Sequence, residues 1–236
     1  MNRLSMGRIL CVLCTAVPLL VLACGSAGDA QQAAAHGTSV SPIAQPERGT
    51  SLPRIVFLGD SLTAGLGLPR EKAVPALIQA RLDAGGYGYE AVNAGVSGDT
   101  AAGGLSRLEW SLEGEVAILV VELGANDGLR GLPVSQLEHN LSEIIARAQQ
   151  RDITVVLTGM EAPPNYGAVY TSEFRRVFRD LADEYDVAFV PFFLEGVAGI
   201  RSLNNADGMH PNSAGAQIVA ETVWRVLEPV IEAEDQ

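Results

Sequence analysis

Short apolar runs alternate along this chain with longer stretches whose apolar positions recur at helical spacing. The runs predict strands over residues 54–58, 89–93, 117–123, 153–158 and 187–190. Helical spacing covers residues 74–83, 105–112, 134–150 and 172–185. A last helix is expected from Pro211 or Asn212 to about Ile231. Such alternation implies a mainly parallel sheet covered by helices on both faces. Right-handed crossovers then predict a three-layer α/β/α, flavodoxin-like architecture with five strands in the order 2-1-3-4-5.

Ahead of the first strand the pattern changes. Arg3 and Arg8 precede an uncharged apolar run from Ile9 to Cys24, shorter than the roughly 20 residues of a membrane span. Basic residues followed by such a run predict a secretory signal peptide over residues 1–23. The run closes on Val21-Leu22-Ala23-Cys24-Gly25-Ser26, which resembles the lipobox of bacterial lipoproteins. That resemblance implies a lipidated Cys24 and membrane contact through an N-terminal lipid anchor in the cell envelope. An ordinary cleaved signal would instead leave a periplasmic or secreted protein. Residues 24–52, rich in Gly, Ser, Ala, Gln and Pro, read as a flexible tether to a domain over residues 53–236.

Composition narrows the class. The chain has 236 residues, 47% hydrophobic and 19% charged, enough to bury one sizeable core. Its formal charge is −12, and loss of residues 1–23 removes only Arg3 and Arg8, giving −14. No basic stripe is present, so nucleic-acid binding is not expected. The three cysteines are Cys11, Cys14 and Cys24, so the domain itself carries no thiol for a disulfide or a metal. Nothing in the composition sets the oligomeric state.

The chemistry lies where strands end. The first strand runs into Gly59-Asp60-Ser61-Leu62, the second into Ser97-Gly98-Asp99-Thr100, and the third into Gly124-Ala125-Asn126-Asp127. In a parallel sheet these ends share one rim, which brings together a hydroxyl, a glycine-rich turn and a carboxamide. Acyl transfer uses such a set: a nucleophile with donors aimed at the charge that develops on a carbonyl oxygen. A base arrives late, in Asp207-Gly208-Met209-His210-Pro211. His210 precedes a proline and therefore sits on an extended or turning segment. Gly208 gives the backbone freedom to bring Asp207 to the imidazole.

These four ordered blocks closely resemble the SGNH (GDSL-type) hydrolase family, from about Arg54 to the end of the chain. The resemblance implies Ser61 as nucleophile, Ser61, Gly98 and Asn126 as the oxyanion hole, and His210 as a base oriented by Asp207. It implies neither a cofactor nor a metal. Val121-Glu122-Leu123-Gly124 and Pro164-Asn165-Tyr166-Gly167 further resemble the bacterial thioesterase I, lysophospholipase and arylesterase branch. The expected activity is serine esterase hydrolysis of carboxylic esters, extending to thioesters or lysophospholipids, with a small ester or acyl substrate as partner. An envelope carbohydrate O-acetyl esterase and a non-catalytic envelope binding protein are the alternatives. The α/β-hydrolase elbow Gly-x-Ser-x-Gly is absent at Ser61, because Thr63 stands where its second glycine belongs. Asp60 has two competing roles, a turn or cap residue and a partner of the active site.

Overall fold

The structure, a computed structural model, describes residues 52–235. The expected signal peptide, Cys24 and the expected tether as far as residue 51 lie outside the described residues. Five parallel strands are ordered β2-β1-β3-β4-β5: β1 (Arg54–Gly59), β2 (Glu90–Gly95), β3 (Val116–Glu122), β4 (Thr154–Thr158) and β5 (Ala188–Val190). This is the expected order. In β1, β3 and β4 every residue after the first one or two is buried, as covering on both faces requires. The edge strand β2 is only half-buried. It runs two residues beyond the expected end because pairing with β1 continues through Leu58–Ala94 and Gly59–Gly95.

Four long helices cover the sheet: α2 (Val74–Gly85), α6 (Val134–Gln149), α7 (Ala168–Tyr185) and α8 (Ser213–Glu234). α6 packs on α7, and α2 packs on α8. Buried residues of α6 fall at Leu137, Leu141, Ile144, Ile145 and Ala148, one stripe at helical spacing. Asn212 caps α8 by accepting from the N–H groups of Ala214 at 3.0 Å and Gly215 at 3.2 Å. Among the described residues no helix is long and apolar enough to cross a membrane.

The expected helix over 105–112 is not continuous. Two short helices stand there instead, α3 (Ala101–Ser106) and α4 (Leu108–Ser111), separated at Arg107. The guanidinium of Arg107 reaches inward to the carbonyl of Ala94 at 2.7 Å, the carbonyl of Gly59 at 2.8 Å and Asp99 Oδ2 at 2.6 Å. These bonds tie the break to the ends of β1 and β2. α7 begins four residues before its expected start, directly after Gly167. Two more short helices, α1 (Ser61–Ala64) and α5 (Ala125–Leu129), escape periodicity because each is about one turn long.

Candidate active site

Ser61 is the first residue of α1, immediately beyond the carboxyl end of β1. Asp60 caps that turn, its Oδ1 accepting from Leu62 N–H at 2.9 Å. The chain therefore reverses sharply at Ser61 and aims the hydroxyl over the rim of the sheet. Ser61 Oγ lies 2.9 Å from His210 Nε2, and His210 Nδ1 lies 2.8 Å from Asp207 Oδ2. A proton on Nδ1, facing Asp207, leaves Nε2 as the acceptor for the serine proton.

The loop carrying His210 is tied at several points. Asn205 N–H donates to the His210 carbonyl at 2.8 Å, and Asn212 N–H to the Leu203 carbonyl at 2.9 Å. The buried Asn204 amide donates to the carbonyls of Val197 at 2.8 Å and Ile200 at 2.9 Å. Gly208 sits at φ +74°, the left-handed region, which turns the chain so that Asp207 faces back on His210. Asp207 Oδ1 accepts from the N–H groups of His210 at 3.0 Å and Met209 at 2.9 Å. These backbone bonds, with the imidazole, pull the Asp207 carboxyl down to about 2.

The other strand ends arrive at the same place. Gly98 lies in the loop after β2, where Arg130 Nη2 donates to its carbonyl at 2.8 Å. Neither Ser61 N–H nor Gly98 N–H has a hydrogen-bond acceptor among the described residues. Asn126 is the second residue of α5, directly after β3. Its Nδ2 donates to Asp60 Oδ2 at 3.0 Å and to the Asp99 carbonyl at 2.9 Å. Both amide hydrogens thus have acceptors, and an oxyanion would have to share or replace one. Asp127 Oδ2 accepts from Ala101 N–H at 2.9 Å and links α5 to the start of α3.

Asp60 fills both roles expected of it, capping α1 and holding Asn126. Burial pushes its carboxyl up to about 6, against the opposing pull of the Leu62 N–H and the Asn126 amide. Beneath it lies Glu122, the last residue of β3 and fully buried. The motif blocks give Glu122 no role of its own. The available signal was an acid closing the otherwise apolar run Val116-Ala117-Ile118-Leu119-Val120-Val121.

Ser61, Gly98, Asn126 and His210 all face one cleft of about 640 Å³. Its walls are mainly apolar and include Leu66, Leu129, Met160, Pro163, Pro164 and Met209. The segment after β4 overhangs the rim through Pro163 and Pro164. Among the described residues no group of three or more His, Cys, Asp or Glu is placed to hold a metal ion. His139 lies exposed on α6, away from this set.

A serine hydroxyl, an imidazole and a carboxylate in sequence, beside free backbone donors on the rim of a parallel α/β sheet, define a serine hydrolase architecture. The GDSL-like Lipase/Acylhydrolase family profile matches residues 57–218, and the chain belongs to that family. It is 45% identical over 178 residues to Esterase TesA of Pseudomonas aeruginosa, covering 75% of this chain and 89% of that one. The Arylesterase of Vibrio mimicus is 39% identical over 175 residues, 74% of this chain and 88% of its own. Thioesterase 1/protease 1/lysophospholipase L1 of Escherichia coli K12 is 34% identical over 185 residues, 78% and 88% respectively. The crystal structure of TesA superposes with a TM-score of 0.72 at 45% identity, covering 75% of this chain and 98% of that one. The protein is a serine ester hydrolase of the SGNH type.

Proposed function

We propose that Ser61 is the nucleophile of this hydrolase, His210 its general base and Asp207 the carboxylate that orients the base. The observation that carries this reading is the continuous relay from Ser61 Oγ through His210 to Asp207, with spacings of 2.9 and 2.8 Å, opening on the apolar cleft. Ser61 Oγ attacks the acyl carbonyl carbon while His210 Nε2 takes its proton. The imidazolium so formed faces Asp207, which stays ionised throughout the working range because of its backbone hydrogen bonds. The carbonyl oxygen gains charge and turns to the N–H groups of Ser61 and Gly98 and to the Asn126 amide. Collapse expels the alcohol or thiol, which takes the proton from His210. Water then enters, loses a proton to Nε2 and cleaves the acyl-enzyme. Each proton moved is returned within the cycle, and no cofactor enters.

Carboxylic esters with an apolar acyl group are the proposed substrates, with thioesters and lysophospholipids included because the Escherichia coli relative is named for both. The apolar cleft walls favour an acyl chain over the polar sugar face of a carbohydrate acetate. The intact relay weighs against a purely binding role. The basic residues, the apolar run and the lipobox-like segment Val21–Ser26 support a cell-envelope location for the enzyme, with export by residues 1–23 and an anchor on lipidated Cys24 as the proposed address. Ester hydrolysis by purified Ser61→Ala tests the mechanism: turnover is expected to vanish with the fold intact, and a folded variant with wild-type turnover contradicts it.

A further inference from the structure

Under the nucleophile, Asp60 and Glu122 bring two carboxyl groups together where solvent reaches neither, both being 0% exposed. Glu122 Oε2 accepts from the Thr63 hydroxyl at 2.8 Å and from Asp60 N–H at 3.3 Å. Its other oxygen, Oε1, is buried with no hydrogen-bond partner among the described residues. Packing on the Gly59 side is tight: a Cβ there would collide with the Thr63 hydroxyl and lie 2.7 Å from Glu122 Oε2. An ionised carboxylate with one bare oxygen, packed beside a second carboxylate, is a costly occupant of such a space. A proton on Oε1 removes that charge and turns an unfilled acceptor into a donor. Asp60 is the adjacent carboxyl: its N–H already rests on Glu122 Oε2 at 3.3 Å, and a side-chain hydrogen bond from Glu122 is among the influences that lower its carboxyl.

We propose that Glu122 acts as a neutral acid that donates to Asp60 and, through Asp60, holds Asn126 in line for the oxyanion. It is a positioning residue, since it does not touch the cleft. The inference rests on the Ser61 mechanism above and adds a proton-dependent support to it. Asp60 is the middle link: Oδ1 is held by Leu62 N–H and Oδ2 receives Asn126 Nδ2. An Asp60 that swings toward another donor releases both the turn carrying Ser61 and the amide.

The charged groups around the pair leave Glu122 without a counterion. From the loop before α8, His210 acts electrostatically on Asp60. Between α3 and α4, Arg107 is engaged by Asp99 and two backbone carbonyls, including that of Gly59. From α5, Asp127 turns away to Ala101 N–H. From α1, Thr63 contributes only its hydroxyl. Burial, and after it the charge of Asp60, pushes the Glu122 carboxyl well above the ordinary range, against the hydrogen bonds of Thr63 and Asp60. Alkaline pH that ionises Glu122 sets two charges against each other and disturbs the Asn126 alignment. The consequence is a fall in kcat with little change in KM, because the oxyanion exists only along the reaction path.

Glu122→Gln separates this role from simple space filling, since the amide keeps the shape and a donor but cannot ionise. Ester-hydrolysis pH profiles are expected to show an alkaline decline in kcat for the wild type that Glu122→Gln removes. At neutral pH the glutamine variant should stay within about threefold of wild type, whereas Glu122→Leu should lose about tenfold or more in kcat at similar KM. If the leucine variant does not fold, the glutamine profile decides alone. An identical alkaline limb in wild type and Glu122→Gln, or wild-type kcat in folded Glu122→Leu, overturns the proposal. Inactive Ser61→Ala together with an unchanged Glu122→Gln profile would refute only the positioning role. An active, folded Ser61→Ala would overturn the mechanism beneath it as well.

Discussion

Asn126 Nδ2 and Asp60 Oδ2 meet at 3.0 Å across 66 residues of sequence, and this bond joins the ends of β3 and β1. It holds the carboxamide against the turn that carries Ser61, on the wall of the same cleft. The second amide hydrogen rests on the Asp99 carbonyl at 2.9 Å, the acceptor that an oxyanion would share or replace while Asp60 keeps hold of the amide.

Removing the carboxamide tests what that placement does. Asn126→Ala is expected to raise the barrier by about 3 kcal/mol, roughly a hundredfold in rate. Steady-state kinetics should find the loss in kcat, because the developing oxyanion is the group that needs the donor. A change confined to KM would make Asn126 a residue for ground-state binding instead.

Asp207 provides a second test. Its ionised form is favoured by backbone N–H groups and the imidazole, which hold the carboxyl at about 2, below the ordinary 3.8. The support this gives to the fold is therefore present above pH 3.8 and lost as pH falls through about 2. Across any ordinary assay range Asp207 stays charged. Asp207→Asn removes the charge and permits the wrong imidazole tautomer, so kcat should fall on the order of 10³- to 10⁴-fold. Thermal unfolding should change little, because the side chain is 40% exposed and solvent screens its charge. A variant with near-wild-type kcat would remove Asp207 from the mechanism.

Much of this arrangement was legible because it follows from topology. Strands β1, β3 and β4 are continuous apolar runs that only a doubly covered parallel sheet accommodates, and their shared rim follows once they are parallel. Ser61, Gly98 and Asn126 stand at three such ends, and Asp207-Gly208-Met209-His210 has the spacing of a carboxylate folding back on an imidazole. What stayed hidden depended on long-range polar contacts. The break at Arg107 comes from a guanidinium drawn to Gly59 and Ala94, which no local pattern encodes. The helices at Ser61 and Asn126 are about one turn long and carry no periodicity. Glu122 stands in sequence only as the acid within an apolar run, and burial against Asp60 and Thr63 is what distinguishes it.

The buried carboxyl also predicts a stability signature. Glu122 takes up its proton more readily in the folded state than its ordinary value of 4.5 allows. Its contribution to stability is therefore fully present below pH 4.5 and is lost progressively as pH rises toward the folded value. Glu122→Gln escapes that loss. The difference in Tm, glutamine variant minus wild type, should become more positive from acidic to alkaline pH. A difference independent of pH would mean that Glu122 ionises in the folded protein as it does unfolded.

The proposed anchor is tested by mass. Protein recovered from membranes of the producing bacterium should begin at Cys24 and carry acyl groups. Cys24→Ser should release or mislocalise the enzyme while the domain keeps its specific activity. An unmodified mature chain beginning at another residue would contradict lipidation at Cys24.

The nucleophile assignment meets its most direct test in covalent labelling. A fluorophosphonate should phosphonylate the protein once, with hydrolysis lost in proportion to the adduct, and peptide mapping should place the adduct on Ser61. Ser61→Ala should take no label. Full inactivation with the adduct on another residue, or full hydrolysis by protein whose Ser61 is completely modified, would contradict the account.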